Sequence, residues 1–173
     1  EEVDIDENEN AGHLWNRLST LGARMLVDTL NNIKNGIIKR QKQGDNFTIA
    51  PKLEKELSKI DWKNKTAIQI KNLVRGLTPG MGTYTFLKDK KIKFWKVSCF
   101  TNEEFINNFP EFKNYEFDKN YGNVIYSDYK KGLFINAKEG IISVLEIQAE
   151  NSKKMKIADF LRGNKIEVNS KFE

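Results

Sequence analysis

The residue pattern predicts an α+β chain: an N-terminal amphipathic helix and a linker, followed by a small OB-like Greek-key β-barrel carrying short helices. Three observations lead there. Apolar residues from Leu14 to Ile37 recur every three or four positions, the period of one helix face. Five short runs between Thr83 and Gln148 have the composition of strands, most of them separated by Gly, Lys or Asp turns. The stretch that holds them has room for one barrel, and its basic residues favour an OB-like barrel over a sandwich.

The elements follow in chain order. Leu14, Leu18, Leu21, Met25, Leu26, Leu30, Ile33 and Ile37 place a helix over about 11–34, with Asn8 or Asn10 to cap its start and Asn35-Gly36 to turn it out. From Ile37 to Asp61 short extended pieces alternate with Gly44-Asp45-Asn46 and Ala50-Pro51, which predicts a linker packed on its neighbours. Thr66 or Asn64 can cap a second helix with Ala67, Ile70, Val74 and Leu77 on one face, ending at Thr78-Pro79-Gly80. Strands are expected at 83–87, 91–100, 123–128, 132–136 and 140–148. A last helix is expected at 157–161, and Lys165 to Val168 forms a closing strand or an extended tail. Between the second and third strands Phe105, Phe109, Phe112, Tyr115, Phe117 and Tyr121 alternate with Glu103, Glu104, Glu111, Glu116 and Asp118. Those carboxylates would repel phosphates, so the segment is expected to be an insertion that packs its rings on the barrel.

Composition excludes several classes of function. With 173 residues, 39% hydrophobic and 31% charged, the chain can bury a core and is not a disordered protein. One cysteine, Cys99, and one histidine, His13, exclude an internal disulfide and a zinc site of the usual Cys/His kind, which fits a reducing, cytoplasmic setting. No apolar run approaches the roughly 20 residues of a membrane span. The first ten residues hold six carboxylates and no Lys or Arg, the reverse of a secretory leader, so neither insertion nor export by these routes is expected. The chain starts without methionine, and its long first helix has nothing to cover its stripe, so an upstream domain is expected.

Net charge is +5, unevenly spread. Residues 51–100 carry twelve Lys or Arg against four carboxylates, residues 101–150 five against nine, and residues 151–173 six against three. Two basic zones flanking an acidic one suit a phosphate-rich partner, because neutralised phosphates release condensed counterions. Catalytic signatures are missing: there is no glycine-rich phosphate loop, nucleophile elbow or metal-ligand spacing. His13 reads as a partly exposed helix residue. Cys99 has no nearby histidine to make it a thiolate, and pairs such as Glu54 with Glu56 lack apolar surroundings to split their pKa values. No catalytic residue is expected in this chain.

Two blocks are more specific. The first joins Ala50-Pro51-Lys52-Leu53-Glu54-Lys55-Glu56, Ile60-Asp61-Trp62, Leu73-Val74-Arg75-Gly76-Leu77-Thr78-Pro79, Tyr84-Thr85 and Lys93-Phe94-Trp95-Lys96. The second joins Leu145-Glu146-Ile147-Gln148, Lys153-Lys154-Met155 and Ala158-Asp159-Phe160-Leu161-Arg162-Gly163. In this order they resemble the C-terminal part of bacterial methionyl-tRNA formyltransferases over nearly all of the chain. The helix with Ala11-Gly12 and Leu14-Trp15-Asn16-Arg17-Leu18 looks like the closing helix of that family's catalytic domain. One departure is Gly80-Met81-Gly82, where the family has an aromatic residue and a second proline. The acidic aromatic segment is another, being longer than the family pattern.

The resemblance implies formyl transfer from 10-formyltetrahydrofolate to the methionine amino group of initiator methionyl-tRNA. It places the family's catalytic Asn, His and Asp in an upstream Rossmann-like domain, in motifs without counterpart here; His13 does not match the catalytic histidine. This chain alone is then expected to be inactive and to bind no cofactor. Its divisions become a catalytic-domain remnant at 1–49, a linker at 50–65 and an OB-like tRNA-binding domain at 66–173. The expected phosphate contacts are Lys52 and Lys55 in the linker, Lys93 and Lys96 in the barrel, and Lys153 and Lys154 before the last helix, since an ammonium grips phosphate without reading a base. Arg75 is assigned to structure, on carbonyls or an internal carboxylate, and Asp61 and Trp62 to locking the linker down. A monomer is expected. The alternatives are the C-terminal domain of a related sugar-nucleotide formyltransferase or formyltetrahydrofolate hydrolase, or an autonomous OB-type nucleic-acid-binding protein.

Overall fold

The computed structural model describes all residues of the chain except Asp118. Helix α1 (Ala11–Lys34) begins where the Asn10 side chain accepts the His13 backbone N–H at 3.0 Å. It buries no residue: Trp15 is 74% exposed, and Leu18, Leu26, Leu30 and Ile33 also face solvent. The helix meets α2 and the turn after it at its first turn, and further along only Arg17 and Arg24 are engaged, with Glu9 and Glu1 of the lead-in. The Gly12 N–H donates to the Thr78 carbonyl at 3.2 Å, and a Cβ on Gly12 would lie 2.6 Å from Pro79 Cδ, so only glycine permits this approach.

Residues 37–57 are exposed throughout. This corrects the expected packed linker: Ile37, Ile38, Phe47, Ile49 and Leu53 meet nothing that could cover them. The chain rejoins the fold after a 3-10 turn, Lys55–Ser58, when the Ile60 N–H donates to the Tyr84 carbonyl at 2.8 Å and Ile60 and Trp62 enter the core. Trp62 is fixed by its Nε1–H donating to Thr85 Oγ1 at 2.9 Å. Asp61 stays exposed and accepts from the Asn64 side chain and backbone, which holds its carboxyl below the usual range.

Helix α2 (Ala67–Leu77) starts in a reciprocal cap: the Gln69 N–H donates to Thr66 Oγ1, and the Thr66 N–H donates to Gln69 Oε1. Its Ala67, Ile70, Val74 and Leu77 are buried, as the periodicity predicts. Strands β1 (Thr83–Leu87) and β2 (Lys90–Phe100) form a hairpin through Lys88 and Asp89, both at positive φ, the two-residue turn that matches strand twist. Strands β3 (Val124–Asp128), β4 (Gly132–Asn136), β5 (Ile141–Ala149) and β6 (Met155–Lys156) follow, and helix α4 (Ile157–Gly163) sits after them. Helix α3 (Asn102–Asn108), unanticipated by the sequence reading, opens the aromatic insertion through a capping box of Thr101 and Glu104.

The sheet is antiparallel, with order β1-β2-β5-β4-β3 and the short β6 also on β5. These strands alone leave an open path. The free edges of β1 and β3 are instead joined by the chain end: the Val124 N–H donates to the Ser170 carbonyl at 2.9 Å, and Phe86 and Glu173 exchange backbone hydrogen bonds at 2.8 and 2.9 Å. Lys165 to Val168 is therefore the extended tail of the two expected alternatives and not a strand, and the residues that pair with the edges lie at 169–173. Ile166 is drawn into the core before the chain reaches that edge. Phe172 is fully buried beside Phe94 and Trp62, at ring separations of 5.5 and 6.2 Å.

A second core lies under the insertion. Phe105 is fully buried with Ile125, Phe134 and Ile141, and Phe109, Phe112, Tyr115 and Phe117 pack around them. The rings are thus packing material, as expected. Among the carboxylates, Glu104 serves the cap of α3 and Glu111 pairs with Lys131; Asp118 lies outside the described residues.

Candidate nucleic-acid interface

The outer face of β2 is shaped by an irregularity. The register with β5 shifts on both sides of Lys96, so Phe94 and Val97 point inward while Trp95 is half-buried and Lys96 is exposed between them. A bulge of this kind re-aims a side chain that strict alternation would bury. Trp95 is then held at its edge, its Nε1–H donating to Gln148 Oε1 at 2.8 Å, while Gln148 Nε2 donates to the Ser152 carbonyl.

Two of the expected lysines meet at this ring. Lys93 Nζ lies 5.4 Å from the ring centroid and donates to the Met81 carbonyl at 3.2 Å. Lys154 Nζ lies 5.8 Å from it and pairs with Glu146, which stands opposite Lys96 in the sheet. Lys153 is exposed beside Lys154 in the turn that leads to β6. Lys52 and Lys55 are exposed on the linker and in its 3-10 turn, with no ion-pair partner among the described residues.

The same face opens into a cleft of about 320 Å³ that sequence reasoning did not anticipate, with Lys71, Arg75, Lys96, Lys154 and Trp95 in its walls and Glu7 and Glu146 as acidic counterparts. Arg75 is occupied there. Its guanidinium donates to the carbonyls of Asp6 and Glu9 at 2.8 and 3.1 Å and to Asn72 Oδ1 at 2.9 Å, strapping the acidic lead-in to α2. A structural role for Arg75 was expected; its carbonyl partners lie upstream and not in its own helix. Cys99 is partly buried on β2, and burial pushes its thiol up, with Lys71 opposing and Glu104 and Glu7 adding to the shift. His13 is exposed on α1. Among the described residues no three His, Cys, Asp or Glu side chains group as a metal site would require, and no helix is long and apolar enough to cross a membrane.

A larger recess of about 750 Å³ lies where the end of the linker, the turn before β3 and the chain end converge. Lys59, Lys63, Lys119 and Lys171 line it, none of them among the expected contacts. Lys59 and Lys63 continue the spacing of Lys52 and Lys55, a signal available in the sequence. Lys119 and Lys171 join them only through the path of the tail.

The geometry thus gives an antiparallel sheet flanked by helices, with basic recesses on its surface. Residues 52–165 match the formyl transferase C-terminal domain, and the chain belongs to that family. It is 37% identical over 171 residues to the methionyl-tRNA formyltransferase of Ruminiclostridium cellulolyticum, covering 98% of this chain and 51% of that protein. It is 38% identical over 165 residues to the methionyl-tRNA formyltransferase of Caldanaerobacter subterraneus subsp. tengcongensis, covering 95% and 48%. The chain spans about half the length of these relatives. Among solved structures it is similar to HypX from Aquifex aeolicus. One variant superposes with a TM-score of 0.60 at 15% identity, over 97% of this chain and 31% of HypX. The complex with tetrahydrofolic acid gives 0.53 at 17%, over 84% and 26%. At those identities the likeness is one of fold.

Proposed function

We propose that this chain is the C-terminal part of a methionyl-tRNA formyltransferase, an enzyme that moves a formyl group from 10-formyltetrahydrofolate to the amino group of methionyl-initiator tRNA. The observation that carries the reading is sequence identity to such enzymes along nearly the whole chain, joined to lysines gathered on an outward-facing tryptophan. In this reading residues 1–49 complete the catalytic domain, 50–65 are the linker, and 66–173 are an OB-like Greek-key barrel that holds the tRNA. The tail that hydrogen-bonds to the edges of both β1 and β3 supports the barrel description. The exposed stripe of α1 packs on the upstream half, which supplies the chemistry and the folate site. The tetrahydrofolic acid held by the HypX structure supports a folate-derived donor for the complete enzyme, and no residue of this chain is assigned to it. The enzyme works as a cytoplasmic monomer.

Lys52, Lys55, Lys93, Lys96, Lys153 and Lys154 contribute charge to the phosphate backbone. Lys96, Lys153 and the linker pair carry the larger share, because Lys154 is already paired with Glu146 and Lys93 with a carbonyl. Titrating the chain with initiator and elongator methionine tRNAs at two salt concentrations tests this. Weak binding is expected, with log affinity falling against log salt by about 0.7 to 0.9 per neutralised phosphate. Binding indifferent to salt, or none in dilute buffer, overturns the reading. Formyl transfer by the chain unaided overturns the assignment of chemistry to the upstream half.

A further inference from the structure

We infer that the recess between the linker end and the chain end is a phosphate-backbone site for RNA, with Lys59, Lys63, Lys119 and Lys171 as its contacts. The inference rests on the tRNA-binding reading and adds to it a second surface, apart from the Trp95 face.

Four observations carry it. The recess is large, about 750 Å³, enough for a nucleotide segment and not merely an ion. Its four lysines are exposed and make no ion pair among the described residues, whereas Lys154 on the Trp95 face is already neutralised by Glu146. An ammonium outside an ion pair gives up little besides water when it takes a phosphate, Lys59 leaving only its place over the Phe86 ring at 5.6 Å, so these four are the better counterion-releasing groups. The carboxylates here are Glu56, Asp61 and Glu173. Asp61 already accepts two hydrogen bonds from Asn64, at 2.9 and 3.1 Å, which directs its oxygens to a local turn.

The walls are also built in advance. The Ile60 N–H is bonded to Tyr84, the Phe172 N–H donates to the Gly122 carbonyl at 2.9 Å, and Phe172 and Trp62 are buried behind the surface. Gly122, at φ +85, allows the tail to lie against it: a Cβ there would fall 2.3 Å from the Phe172 carbonyl oxygen. The backbones that carry Lys59 and Lys171 are therefore positioned before any ligand arrives, and binding there need order only the side chains. Lys52, Lys55, Lys59 and Lys63 further give the linker a run of charges that leads into the recess.

The test compares the 173-residue chain with Lys59→Gln/Lys171→Gln, with the independent pair Lys63→Gln/Lys119→Gln, and with a control pair of exposed lysines, Lys113→Gln/Lys138→Gln. The probe is deacylated initiator tRNA, titrated from 0.05 to 0.3 M salt. Each recess pair should flatten the slope of log affinity against log salt by about 1.4 to 1.8 and weaken binding about 25- to 60-fold at roughly 0.1 M salt, as two lost phosphate contacts require. The control pair should leave the slope unchanged. Equal effects from all three pairs would mean that only total charge matters and would overturn the site. tRNA binding that both recess pairs leave intact overturns the site while leaving the tRNA reading standing. Absence of binding by the unaltered chain overturns both.

Discussion

Trp95 and Lys96 face outward together because the β2–β5 register slips around them. A strictly alternating strand would have turned one of the two into the core. The consequence is a ring whose edge is tied to Gln148 and whose surroundings hold two ammonium groups, a fixed point on the basic surface. On the inner side of the same strand Cys99 shows what burial does to a titrating group. The protein interior disfavours the thiolate, and Lys71 does not compensate fully. Alkylation of the folded chain by iodoacetamide at pH 8 is therefore expected to run slower than that of free cysteine. It should also keep rising at pH values where the free thiol has levelled off. The urea-unfolded chain should react at the ordinary rate; equal rates folded and unfolded would contradict the burial. In linkage terms the folded state holds this proton more tightly. The stabilisation is thus present at neutral pH and is lost as pH rises through the raised value.

At the scale of elements, α1 and α2 were equally legible as amphipathic helices, yet their fates differ. The stripe of α2 is covered by β2 and β5, and its reciprocal cap adds about 1 kcal/mol. The stripe of α1 has no buried residue, with only Leu14 and Leu21 half-covered. A helix of this kind draws most of its stability from packing, so an unpacked one is marginal even at 24 residues. Hydrogen exchange on the 173-residue chain should find α1 amides beyond the first turn exchanging orders of magnitude faster than those of β5. Protection of α1 equal to β5 would show that its stripe is covered in solution. The insertion followed a different logic: its carboxylates argued against nucleic acid, and α3 carries Phe105 into a second core in agreement. Periodicity did not reveal α3 itself, because seven residues with two apolar positions carry too little pattern.

For the molecule as a whole, the chain end decides the shape. Residues 169–173 lie against the exposed edges of β1 and β3 and seat Phe172 between Phe94 and Trp62. Phe172→Ala should cost about 3 to 5 kcal/mol, the usual loss for a buried phenylalanine. For a chain of this size that corresponds to a melting temperature roughly 6 to 20 °C lower. Thermal unfolding followed by near-UV circular dichroism would read it, and a shift within about 1 °C would mean that the tail is not seated in solution. The same substitution removes the backing of the lysine-lined recess, so seating of the tail on the β1 and β3 edges and construction of that surface are one structural event.

The positions of β1 to β5 but not of the short β6, both principal helices, their caps, the inward face of α2 and the likeness to the formyl transferase family were readable from residue order. Each rests on local spacing or on motifs that lie within a few turns of chain. The pairing of Lys154 with Glu146, the outward bulge at Trp95, and the strapping of Arg75 to the lead-in were not readable in that way. The meeting of Lys59 and Lys63 with Lys119 and Lys171 was equally hidden. These bring together residues far apart in sequence, and their proximity is set by how the sheet, α2 and the tail pack, which no local pattern encodes.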